Sequence, residues 1–143
     1  MSLAATPAQS LRPGVLAVPL AVWLVMAVLA VANGVFRETV LIPRMDDYLA
    51  HVLSTLLLVA MILAVTAAYF WTTATAYTDL ELLAVGAAWT VATVGFEFLV
   101  GYAEGTPVSV TLGQYDVFAG QVWILVPLAL FVSPYLFGRV LSA

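Results

Sequence analysis

The chain has no cysteine and no lysine, and only 8% of its 143 residues are charged. Without cysteine there is neither a disulfide framework nor a thiolate metal site. The four basic residues are Arg12, Arg37, Arg44 and Arg139, set against eight acids. They form no basic patch, so no nucleic-acid partner is expected. The single histidine, His51, cannot supply two axial ligands to a haem within one chain, and no cofactor is expected. The shortage of charge also argues against a water-soluble globule, in which about 25% of all residues are charged.

Apolar residues take up the difference. They make up 64% of the sequence, with a mean hydropathy of +1.11. They fall in four continuous runs, at about 14–36, 48–71, 80–101 and 117–137. Each exceeds the roughly 20 residues that a helix needs to cross a bilayer. The runs do not alternate, which argues against a barrel and for helices that satisfy their own backbone groups. The expectation is an all-α protein of the cell (plasma) membrane, a multi-pass antiparallel four-helix bundle forming one domain over 14–143 behind a flexible tail at 1–13. Arg12 ahead of an apolar run, with small residues at 29–33, superficially copies a signal peptide, but the run is too long for one.

Punctuation marks the boundaries. Asp46 and Asp47 are placed to cap the second run after Pro43, and Thr78 with Glu81 has capping-box spacing ahead of the third. Gly101 is expected to end the third run and Asp116 to cap the fourth. The short 72–79 loop predicts that the second and third helices are neighbours. The longer 102–116 connection, with Val108, Val110 and Leu112 alternating, predicts a surface flap or partly re-entrant segment. No internal repeat of the inverted-transporter kind is present.

Simple antiparallel crossings put Arg12, Arg139, Asp79 and Glu81 at one face, with no net charge. The other face collects Arg37 and Arg44 against Glu38, Asp46, Asp47, Glu97, Glu104 and Asp116, which is the whole net charge of −4. Arginines are tied across the two faces; with Arg37 buried among helices, the positive-inside rule tips the termini to the cytoplasm.

Helical spacing then brings polar groups together at the acidic end. Thr90, Thr93 and Glu97 form one stripe of the third helix. A carboxylate such as Glu97 inside hydrocarbon costs at least ~2.5 kcal/mol unless protonated, paired or hydrated. Arg37, one turn after Asn33 and just before Glu38, is the expected partner. Asp47, His51 and Ser54 share a face of the second helix, and Asp116, Gly120, Trp123 and Pro127 follow helical spacing in the fourth. Structural roles compete with this reading: the aspartates are good caps, and Trp23, Trp71, Trp89 and Trp123 need only anchor or pack. Opposite the polar stripe, Ala84, Ala88 and Ala92 form a small-residue seam suited to a second copy or a membrane-protein partner.

The segments "NGVFRE" with Pro43, "AHVLST", "FEFLVG" and "YD" before "GQVW" resemble a family of small four-helix prokaryotic membrane proteins with no assigned activity. The resemblance marks Asn33, Arg37, Glu38, Pro43, His51, Ser54, Glu97, Tyr115, Asp116, Gly120 and Trp123. Gln121 departs from it, standing where the family pattern has Arg.

Three functions compete. The acidic site, comprising Asn33, Arg37, Glu38, His51, Ser54, Glu97, Tyr115, Asp116 and Gln121, binds or translocates a small cation or proton. Alternatively, the same residues form a closed network in a structural or accessory subunit. An enzyme using His51 beside Ser54 ranks last, because no oxyanion donor or catalytic signature accompanies them.

Overall fold

The computed structural model describes residues 11–113 and 123–141, which are almost entirely helical. The first helical rod runs unbroken over Pro13–Arg44. It comprises a 3-10 turn Pro13–Leu16, α1 (Ala17–Phe36), a π turn Arg37–Leu41 and a 3-10 turn Ile42–Arg44. The remaining helices are α2 (Asp47–Thr72), α3 (Asp79–Ala103), the short α4 (Val108–Gly113) and α5 (Leu125–Val140). Among the described residues, three helices are long and apolar enough to cross a membrane: Pro13–Arg44, α2 and α3.

The helix starts agree with their sequence signals. The Asp46 carboxylate accepts from the Tyr48 and Leu49 amides, capping α2. Thr78 and Glu81 close the capping box of α3, the hydroxyl accepting from the Glu81 amide at 3.1 Å and the carboxylate from the Thr78 amide at 2.9 Å. Other boundaries move. The first rod runs through Pro43, which sits near the start of a 3-10 turn where its missing N–H costs nothing, and stops at Met45, which turns to extended backbone. Helix α3 passes through Gly101, and its stop is Gly105, the one glycine with positive φ among the described residues, at 78°. The amides of Gly105 and Thr106 donate to the Tyr102 and Gly101 carbonyls, the reciprocal closure that a left-handed glycine permits. The alternating Val108, Val110 and Leu112 lie in the single helix α4, all exposed. Trp123 and Ile124 form a turn before α5, so the expected helical stripe through Trp123 is interrupted and α5 is capped at Ile124. The proposed cap Asp116, like most of the fourth run's first turns, lies outside the described residues.

The order of packing departs from the short-loop argument. Helix α5 packs extensively on both α3 and α2, and α2 packs on α1, while α2 and α3 meet only marginally. The six-residue link 73–78 therefore joins helices that α5 separates. The contacts also fix direction. Asp79–Arg139 and the approach of Gly86 to Phe131 pair α3 and α5 in opposite senses, whereas His51–Trp123 and Thr66–Ser133 run α2 and α5 in the same sense.

The tightest approach depends on glycine. A Cβ at Gly86 would overlap the Phe131 carbonyl, and one at Gly138 would overlap the Leu82 side chain. The expected alanine seam is only half-buried at Ala84, Ala88 and Ala92; the α3–α5 contact runs through Gly86 instead. Around it lie the fully buried Phe70, Leu82, Val85, Trp89, Val126 and Leu130.

Candidate functional site

The two ends of the molecule treat charge differently. At the end holding the 73–78 link, Glu81 is fully buried and takes the backbone N–H, Nε and Nη2 of Arg12, each at 2.7 Å. Arg12 Nη2 also donates to the Ala76 carbonyl at 2.7 Å. Arg12, expected within a flexible tail, is thus tied to the start of α3. Arg139 pairs with Asp79 at 3.0 Å, so the balanced charge expected at this face is neutralised in pairs. Tyr77 donates to the Val15 carbonyl and bonds the Tyr69 hydroxyl, which leaves Tyr69 as the donor in that second bond. Burial raises the Tyr77 phenol above its ordinary pKa of 10.0.

At the other end the helices enclose a cavity of about 300 Å³. Three of the expected site residues line it: Arg37 from the π turn, His51 from α2 and Glu97 from α3. Glu104 and Trp123 line it as well, and Met26, Leu58, Ile62, Phe96, Val126 and Leu130 make much of its wall apolar. Among the described residues the ion pairs are Arg12–Glu81 and Arg139–Asp79. The expected Arg37–Glu97 ion pair is therefore not formed; the two residues face the same space instead.

Each is held by other means. Arg37 Nη1 donates to the Ser54 hydroxyl at 3.3 Å, while buried Asn33 donates to the Ser54 carbonyl at 3.1 Å. Asn33 and Ser54 thus stand behind Arg37 and tie α1 to α2. The π turn starts at Arg37, which sits alongside Gly34; such wide turns often mark functional positions within helices. The Trp123 indole donates to Glu97 Oε2 at 2.6 Å, and its ring lies 5.9 Å from that of His51. His51 Nε2 and Asn33 Oδ1 are buried without a hydrogen-bond partner.

Other expected members are placed elsewhere. Glu38 is exposed on the π turn and does not line the cavity. Tyr115, Asp116 and Gln121 lie outside the described residues. The Ser54 hydroxyl donates to the His51 backbone carbonyl at 3.1 Å, not to the imidazole. The pair therefore lacks the hydroxyl-to-base bond of an activated nucleophile. No group of three or more metal-ligating side chains occurs among the described residues.

The tryptophans exceed the anchoring role that composition suggests. Trp23 donates to the Thr93 hydroxyl at 2.8 Å, Trp89 to the Pro19 carbonyl at 2.8 Å and Trp123 to Glu97. Only Trp71 is strongly exposed, at 73%. An indole offers one donor and no acceptor, and single-sequence spacing carries no sign of which distant acceptor it reaches. Thr93 and Glu97, the inward stripe read from periodicity, supply two of these acceptors.

Comparisons with family models, with curated proteins and with solved structures returned no match.

Proposed function

We propose that the chain is a multi-pass membrane protein whose four long apolar segments form a bundle, and that the cavity at the Arg37–His51–Glu97 end is a binding site for a small solute, coupled to uptake of a proton or small cation at Glu97. One observation carries this reading: an arginine and a glutamate face a common cavity without pairing. A structural pair would be expected to collapse into contact, since separating opposite charges in a poorly solvated interior forfeits their attraction. Keeping them apart leaves the remaining donors of Arg37 available to a guest.

The resemblance to a four-helix prokaryotic family fits this reading, as does the gathering of its pattern residues Asn33, Arg37, His51, Ser54, Glu97 and Trp123 around one end. The packing order makes the bundle a ring of α1, α2, α5 and α3, with antiparallel and same-sense neighbours alternating. With the termini in the cytoplasm, the cavity faces the opposite side of the cell membrane. A homo-oligomer through Ala84, Ala88 and Ala92 would bring several such sites together.

The test is proton movement into proteoliposomes carrying the full chain, measured with a trapped pH indicator. Wild type should exceed Glu97→Gln, with both variants equally folded. Equal flux in the two would refute coupling at Glu97. The accessory reading is favoured by the Asn33–Ser54–Arg37 tie, and it predicts instead that Glu97→Gln loses thermal stability or a membrane-protein partner and changes no flux.

A further inference from the structure

Resting on the reading of this cavity as a solute site, we infer that its guest is a small monocarboxylate with an apolar body, its carboxylate bound by Arg37. The polar atoms on the wall divide into committed and uncommitted groups. The Thr93 hydroxyl is taken by Trp23, and Glu97 Oε2 by Trp123. Of the five N–H donors of a guanidinium, Arg37 uses one, in a 3.3 Å bond to Ser54, and among the described residues no carboxylate lies within ion-pair distance of it. Arg12 shows what a paired arginine looks like here, with three guanidinium bonds at 2.7 Å.

The cavity therefore offers Arg37's remaining donors beside a largely aliphatic and aromatic wall. Donors that converge above apolar walls call for an acceptor head on an apolar body. The planar fork of arginine matches the two oxygens of a carboxylate. Glu97 and Glu104 share the same cavity, and their negative charge, which opposes any anion, penalises a dianion such as phosphate about twice as much as a monocarboxylate. The volume of about 300 Å³ holds roughly ten water-sized groups, which suits a body the size of phenylpropionate and leaves no room for a two-chain lipid.

Calorimetric titration of the full chain in nanodiscs tests this with phenylpropionate, phenylpropanol, phenylpropylamine and inorganic phosphate. Wild type should bind phenylpropionate roughly tenfold more tightly than the alcohol, the size of one charge-assisted hydrogen bond, and the amine and phosphate more weakly still. Arg37→Gln should erase the preference for the acid over the alcohol, and Arg37→Lys should retain part of it, each checked by thermal melting. The alcohol or amine binding as tightly as the acid would overturn the inference while leaving the cavity a solute site. So would an acid preference that survives in Arg37→Gln. Binding of none of the four would overturn it too, and Glu97-dependent proton flux would then decide the wider reading separately.

Discussion

The end built around Arg12 and Glu81 and the end built around Arg37 and Glu97 each contain an arginine and a buried or half-buried glutamate, yet only the first pair is closed. Glu81 has a backbone amide, a guanidinium and a capping interaction converging on it, and the glycine contact between α3 and α5 draws the helices together a turn away. At the second end Arg37 leans on Ser54 and Glu97 on Trp123, and a cavity occupies the space between. Similar side chains thus give a clamp where they pair with each other and a cavity wall where they do not. A charge in a membrane protein is best interpreted by its partner count.

Substitutions sharpen this contrast. The largest effect is expected for Gly86→Leu, which sets a side chain against the backbone carbonyl of Phe131, a neighbour unable to move aside. The cost should be about 3 kcal/mol, read as a large fall in melting temperature or failure to fold. Glu81→Ala removes the box acceptor and the ion partner together, and should cost about 2 kcal/mol in thermal unfolding. At the open end, Asn33→Ala deletes one bond and one unpartnered oxygen, and its effect on the same melt should stay within about 1 kcal/mol. A loss at Asn33 as large as that at Glu81 would break the distinction between clamp and site.

The smallest effect is one of pH. Because the Tyr77 pKa is raised in the folded state above 10.0, the native state keeps a proton that the unfolded chain releases. The stability tied to this proton is fully present below pH 10.0 and is lost as pH rises through the folded value. Alkaline melts of wild type should therefore fall more steeply than those of Tyr77→Phe. Parallel curves would remove Tyr77 from the clamp's account.

Much of this is legible in one sequence because hydropathy and local capping are local properties. The three long apolar helices, the Asp46 cap and the Thr78–Glu81 box are of this kind. So is the convergence of Arg37, His51 and Glu97, since three successive helices that reverse direction bring them to one end. Long-range choices are not legible. Nothing within residues 72–79 reveals that α5 intervenes between α2 and α3, because that depends on Gly86 and Gly138, far away along the chain. The Arg12–Glu81 clamp is hidden for a similar reason. Arg12 sits in a polar stretch ahead of the first run, and Glu81 is already explained by its cap. The absence of an Arg37–Glu97 pair is equally invisible, since spacing sets the level of a side chain and not its reach.

The most direct test uses the chain's lack of cysteine. A single cysteine is placed on the cavity wall by Ala30→Cys or in the closed half by Val85→Cys, at a residue only 1% exposed. Each variant is reconstituted in lipid vesicles and treated with a small water-soluble thiol reagent. Thiol reaction needs thiolate and access, so a water-filled solute site predicts much faster labelling of Ala30→Cys, slowed when phenylpropionate is present. Labelling of Ala30→Cys no faster than that of Val85→Cys would contradict the claim that this end holds an open site.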